Sequence, residues 1–271
     1  MQLLPHHQTF IDRFIAACQT DKRVVAAFLV GSYAWGTADA YSDLDLYLIT
    51  ADDAYEDFFA GREAFMQRLG DLAFLEDFGL PDIVFYIFAD GSEGELMFGR
   101  ESQINHIFSG PYRVLLDKKG IMTEAVFLGH TPAQTEQIEK LRRQLYWFWH
   151  DLSHLITALG RGQLWWASGQ LEVLRGYCVN LARLKHNFAD ADVGEEAYFK
   201  IEKAISIESL SALQATFCPM ERGAMLQSVL VILRFYQELA RDLARAHGIA
   251  YPADLERVMV DRLEKLRYVQ L

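Results

Sequence analysis

The chain has 271 residues, 51% of them hydrophobic, and a formal net charge of −11. That length suits one large domain or two ordinary ones, and the apolar share supports a sizeable core, excluding a disordered or fibrous chain. Nucleic-acid binders present basic faces because phosphate neutralisation dominates their affinity, so the acidic balance argues against DNA or RNA and for a small substrate.

Cys18, Cys178 and Cys218 are odd in number and widely spaced, which fits neither a disulfide framework nor a zinc motif. The histidines contain no HExxH, and the N-terminus lacks the basic-then-apolar order of a signal peptide. The longest apolar run, Ile83 to Ala89, is too short to cross a bilayer, so a cytoplasmic protein with no membrane partner is expected.

In chain order, Phe10, Ile11, Phe14, Ile15 and Cys18 recur at helical spacing and predict an amphipathic helix over 7–20. Val24 to Val30 reads as a buried strand running into a turn at Gly31-Ser32. Leu44 to Ile49 has the period of two expected of a strand, and 52–69 reads as helix. Ile83 to Phe88 predicts a strand, handed by the Asp90-Gly91 turn to a short one at Glu95–Phe98, and Tyr112 to Leu116 a last one. The second half changes character. Thr131-Pro132 offers an N-cap and a first helical residue, followed by apolar positions stepping from Ile138 to Leu159 until Gly160-Arg161-Gly162. Two more helices centre on Leu171–Leu181 and Leu226–Leu243, and Tyr251-Pro252 precedes a final one. The fold class is therefore α+β: a mixed sheet with flanking helices, then a C-terminal helical bundle.

The chemistry concentrates in Phe28-Leu29-Val30-Gly31-Ser32 and, after a short gap, Ser42-Asp43-Leu44-Asp45-Leu46. Strand alternation points Asp43 and Asp45 to one face while Leu44 and Leu46 enter the core. Same-face neighbours lie roughly 6.5–7 Å apart along a strand, so the two carboxylates can converge on one cation or flank a pair of them. Gly31 permits close backbone approach to a phosphate, and a helix starting at Ser32 would aim N–H groups at it. Each part has a plainer reading, since Ser-Asp often makes a turn and Gly-Ser often ends a strand. Aspartates alternating with leucine inside a strand are less ordinary, because they repel.

These residues resemble the signature of the polymerase-beta-type nucleotidyltransferase superfamily: an apolar residue, Gly-Ser, then Asp-x-Asp about ten residues later. The resemblance, closest over 26–98, points to the antibiotic-modifying branch, with lincosamide nucleotidyltransferases nearer and streptomycin and kanamycin adenylyltransferases further off. It implies a nucleotidyltransferase catalytic domain at 1–125 and a helical bundle domain at 126–271. It also implies an enzyme that moves a nucleoside monophosphate from ATP or another triphosphate to a hydroxyl of a small molecule, an antibiotic among the candidates, releasing pyrophosphate. Asp43, Asp45 and a third acid would hold Mg²⁺, two ions being expected, and Gly31, Ser32 and Ser42 would meet the nucleotide. The third acid is Glu95 by the acid–apolar–x–apolar pattern after the hairpin, with Asp82 and Glu93 as alternatives; Glu95 would also accept the acceptor's proton. A homodimer is a further expectation, and a regulatory protein of this fold acting with a protein partner is the alternative reading.

Other features carry plainer expectations. His150 and His154 share a helical face without a third ligand evident. Trp147, Trp149, Trp165 and Trp166 suit a core, or an aromatic wall for an acceptor ring. Arg142-Arg143 reads as solvated surface, and Lys118 or Lys119 as a conceivable phosphate contact.

Overall fold

The computed structural model describes residues 4–125, 133–189 and 196–266. The chain divides into two units, Met1–His130 and Thr131–Leu271. The expected domain boundary and the Thr131-Pro132 helix start lie at or outside the edge of the described residues.

In the first unit, helix α1 (Pro5–Thr20) turns Phe10, Ile11, Phe14 and Cys18 inward at helical spacing. Burying each large apolar side chain contributes about 1.5–3 kcal/mol. Strand β1 (Val24–Leu29) is buried throughout and runs through Val30 into a one-turn helix, α2 (Gly31–Trp35). Strand β2 (Leu44–Thr50) follows, and then a 3-10 turn, α3 (Tyr55–Ala60) and α4 (Arg62–Gln67). The single helix expected over 52–69 is thus broken, with Gly61 at the junction. Strand β3 (Leu72–Glu76) is an element that sequence periodicity missed. Strands β4 (Ile83–Phe88), β5 (Glu93–Arg100) and β6 (Arg113–Asp117) complete the sheet, followed by the short α5 (Ile121–Glu124).

The six strands lie in the order β3-β4-β5-β2-β1-β6. All neighbours are antiparallel except β2 and β5, which run parallel because the chain crosses over through α3, α4, β3 and β4 between them. Leu44, Leu46, Leu48, Leu96 and Phe98 enter the core formed with α1, α3 and α4. The opposite face carries Asp45, Tyr47, Glu95 and Met97 by strand alternation, and Tyr47 and Ile49 there pack with Phe28, Ile104 and Met122.

The second unit is helical. Helix α6 (Gln134–Gly160) begins after Ala133, with no side-chain cap, and ends at the predicted Gly160-Arg161-Gly162 break. It is followed by α7 (Leu164–His186), the short α8 (Ile201–Ala204) and α9 (Ile207–Gln214), then α10 (Arg222–Ala246) and α11 (Ala253–Leu266). Leucines and aromatics of α6, α7, α10 and α11 share one core, at whose centre the Phe148 and Tyr236 rings stack at 3.5 Å. Tyr236 also donates its buried hydroxyl to the Leu145 carbonyl at 2.9 Å. Among the described residues no helix is long and apolar enough to cross a membrane.

Candidate active site

The parallel pairing of β2 with β5 brings two acidic residues face to face. Asp45 and Glu95 are direct register partners, and in adjacent strands such residues share a face with Cα atoms about 4.8 Å apart. The strands meet closely because residue 94 is glycine: a Cβ there would lie 2.1 Å from the Leu44 carbonyl oxygen. Asp43 stands immediately before β2 and is electrostatically coupled to both carboxylates.

Placed in this company, Asp45 has its pKa raised to about 7, first by burial and then by Asp43 and Glu95. Burial, followed by the Asp43 charge, also raises Glu95. Tyr47, one step along the same face, is pushed up to about 12 by burial, with Glu95 and Asp45 adding to the shift. Three like charges are being held together against their repulsion. They are not drawn to mutual contact: among the described residues, the three-residue group with ligand atoms all within 4.8 Å is a different one, His150, Asp151 and His154.

The Gly31-Ser32 turn adjoins these acids directly. Gly31 has φ +62°, and a Cβ at that position would fall 1.8 Å from Asp45 Oδ2, so the turn and the carboxylate can coexist only with glycine here. The Val30 amide donates to the Asp45 carbonyl at 2.9 Å, tying turn to strand. Ser32 Oγ is buried in the same turn with no hydrogen-bond partner, as are Thr50 Oγ1 and Ser92 Oγ elsewhere in the unit. An all-oxygen set of three carboxylates is the donor chemistry that Mg²⁺ takes, and raised carboxylate pKa values are what a divalent cation relieves. The residues therefore fit such an ion.

The remaining predicted residues fall elsewhere. The Ser42 hydroxyl accepts from the Asp39 amide at 2.8 Å and closes the turn before β2, the plainer of its two readings. Asp82 stands just before β4 at φ +61°, accepts the Tyr55 hydroxyl, and sits opposite Phe98, three residues along β5 from Glu95. Glu93 is exposed at the start of β5. The Lys118 ammonium donates to the Cys18 and Asp21 carbonyls at 2.7 and 2.8 Å, and Lys119 pairs with Glu101 at 2.6 Å, so both cations are committed to structure. Arg142 forms an exposed pair with Glu139, as a solvated surface residue does. Trp149 is core; Trp147, Trp165 and Trp166 are exposed.

Two contributors escaped sequence reasoning. His7 is buried, its Nδ1 2.6 Å from the Tyr33 hydroxyl, so α1 braces the turn helix α2. Burial and then His6 lower the His7 pKa, against the opposing pull of Asp43 and Asp90. Its place three residues before Phe10 on the apolar stripe of α1 was the available signal. Tyr86 donates its buried hydroxyl to the Leu44 carbonyl at 2.9 Å and so pins the backbone between the two aspartates. Further along the same face, Tyr47, Asp82, Ile83, Met97, Gln103 and Ile107 line a cavity of 410 Å³.

Compared with known proteins, the chain matches the family model described as streptomycin adenylyltransferase over residues 5–266. No curated protein gives a significant match. Among solved structures it is similar to an aminoglycoside 6-adenyltransferase from Bacillus subtilis, at 16% identity over 98% of this chain and 100% of that one, with a TM-score of 0.43.

Proposed function

The chain belongs to the streptomycin adenylyltransferase family, and from that premise we propose that it transfers a nucleoside monophosphate from ATP or a related triphosphate to a hydroxyl of an aminoglycoside-like antibiotic, releasing pyrophosphate. The family lies in the antibiotic-modifying branch expected from sequence, although the lincosamide enzymes had looked nearer. The observation that carries the proposal is the direct register of Asp45 with Glu95, with Asp43 coupled to both.

In this reading Asp43, Asp45 and Glu95 would hold Mg²⁺, which when bound would screen charge on the α-phosphate and on the departing pyrophosphate. The phosphate tail lies along the Gly31 backbone, with Ser32 Oγ donating to it. Tyr86 and Gly94 keep the two aspartates and Glu95 in register, and His7 holds α2 through Tyr33. Glu95 accepts the proton of the attacking hydroxyl. The net charge of −11 agrees with a cationic acceptor.

The test combines mass spectrometry with two variants. Protein, Mg²⁺ and each triphosphate are incubated with a panel of aminoglycosides and lincosamides, and a nucleotidylated aminoglycoside is the expected product. Asp45→Asn should lose Mg²⁺-dependent triphosphate binding. Glu95→Gln should still bind the triphosphate while turnover falls by about 10²–10⁴-fold. Wild-type turnover in Asp45→Asn would refute the site; modification of lincosamides alone would refute the acceptor class.

A further inference from the structure

The helical unit carries a second cluster of ligating side chains, remote in sequence from the carboxylates of β2 and β5. His150 and His154 of α6 are one helical turn apart, so their imidazoles leave the same face, with ring centroids 4.6 Å apart. Asp151 supplies the third group that the sequence had not revealed: one ligand atom from each of His150, Asp151 and His154 lies within 4.8 Å of the other two. His150 Nδ1 is 2.9 Å from Asp151 Oδ1. Two ligands bonded at about 2.1 Å to one tetrahedral ion stand about 3.4 Å apart, so a small opening of this hydrogen bond would bring both atoms to coordinating separation.

The cluster is also supported from a second helix. Tyr177 of α7 donates its hydroxyl to Asp151 Oδ2 at 2.8 Å. Such an outer hydrogen bond orients a ligating carboxylate and leaves its other oxygen for an ion. Trp147 meets the His150 ring edge-on at 4.9 Å, and Trp166 flanks His154 at 6.1 Å, which narrows the imidazole rotamers. The His150 side chain remains 52% exposed, so an ion has access from solvent.

We infer that His150, Asp151 and His154 form a binding site for a zinc-type divalent transition-metal ion, distinct from the Mg²⁺ site. Two imidazole nitrogens and one carboxylate oxygen suit Zn²⁺, Co²⁺, Ni²⁺ or Cu²⁺, whereas Mg²⁺ favours oxygen-only shells. Coordination through His150 Nδ1 replaces the hydrogen bond to Asp151, and any proton on that nitrogen leaves to solvent. The bound ion joins α6 to α7 through Asp151 and Tyr177, so it raises the unfolding temperature by mass action.

The experiment titrates Zn²⁺, and separately Co²⁺, into the untagged full chain in excess Mg²⁺. Calorimetry should give one Zn²⁺ per chain, Co²⁺ should develop a visible d–d band, and Zn²⁺ should shift the imidazole NMR signals of His150 and His154 in the wild-type protein. His150→Gln and His154→Gln should each weaken Zn²⁺ binding by at least about 10–100-fold, the loss that removing an outer-shell partner alone produces. Asp45→Asn should leave Zn²⁺ affinity unchanged. Absence of Zn²⁺ binding, unmoved imidazole signals, or affinity that survives in the His150→Gln/His154→Gln double variant would each overturn the assignment. The NMR readout needs no variant, so poor folding of the substituted chains does not protect the proposal.

Discussion

The β2–β5 face of the α/β unit and the ion pairs of the helical unit treat charge in opposite ways. In the helical unit Glu256 is met by Arg241, Asp242 by Lys185, and Glu172 by Arg175, so each of these carboxylates has a cation beside it. On the β2–β5 face of the α/β unit, Asp43, Asp45 and Glu95 instead lie together, and burial first, then the neighbouring acidic charges, raises the pKa of Asp45 and Glu95. A fold selected for stability alone would neutralise such a cluster, and an external cation would relieve it. Stability and chemistry are thus unevenly divided, and each prediction below breaks or sharpens that division.

The largest effect should come from the helical core. Phe148→Ala removes a fully buried ring stacked on Tyr236 and should cost about 3–5 kcal/mol. Chemical denaturation measures it, and a loss under 1 kcal/mol, set against that range, would show that the core is looser than its packing indicates. In the α/β unit a smaller change should have a sharper consequence. Gly31→Ala forces a Cβ to 1.8 Å from Asp45 Oδ2 at φ +62°. The left-handed backbone alone costs about 1–2 kcal/mol, and displacement of Asp45 should abolish Mg²⁺-dependent turnover. A protein that keeps both its melting temperature and its activity would separate the turn from the site.

The acid cluster also predicts a pH dependence with a definite sign. Asp45 has a folded pKa of about 7 against an ordinary 3.8, so the folded state binds the proton more tightly than the unfolded state. Its contribution to stability is therefore fully present below about pH 4 and is lost as pH rises through 7. In metal-free buffer, thermal stability should fall between about pH 4 and 7 and level off above that. Asp45→Asn, which cannot ionise, should flatten that slope and melt higher than wild type at pH 8 while losing activity. Adding Mg²⁺ at pH 8 should restore stability to the wild type only. An identical slope in wild type and variant would assign the titration to other groups.

Legibility followed periodicity. The common face of Asp43 and Asp45 was readable because a strand repeats every two residues, which assigns faces before any coordinates exist; Glu95 was singled out by resemblance to the family pattern, with Asp82 and Glu93 as alternatives. The long helices were readable by the same logic at 3.6 residues, with Gly160-Arg161-Gly162 as a stop. Strand β3 was missed because Leu72-Ala-Phe-Leu-Glu76 is a short edge strand, only partly buried, with no clean alternation. Helices α8 and α9 are too short for a stripe to show. His7 and Tyr86 act through single hydrogen bonds between distant elements, and nothing in local spacing announces those. Asp151 stands one turn before His154 and was open to the same spacing argument, but its tie to Tyr177 spans two helices and local spacing does not announce it.

The smallest expected effect discriminates most finely, because it concerns the choice between two acids near one strand. Asp82 lies at the positive-φ entry to β4 with its carboxylate on the Tyr55 hydroxyl and its carbonyl accepting the Phe98 amide at 2.7 Å. Asparagine tolerates that backbone and its carbonyl still accepts the Tyr55 hydroxyl. Asp82→Asn should therefore cost only about 0.5–1.5 kcal/mol, seen as a small drop in melting temperature, with kcat and KM near wild type. Glu95→Gln should do the reverse, leaving stability intact or raised, since it removes a charge that Asp43 repels, while kcat collapses. Were Asp82→Asn to abolish turnover without changing stability, the third acid would have to reach the aspartates from the other end of β4, past Phe85, which stands opposite Glu95. The sheet register makes that route the longer one.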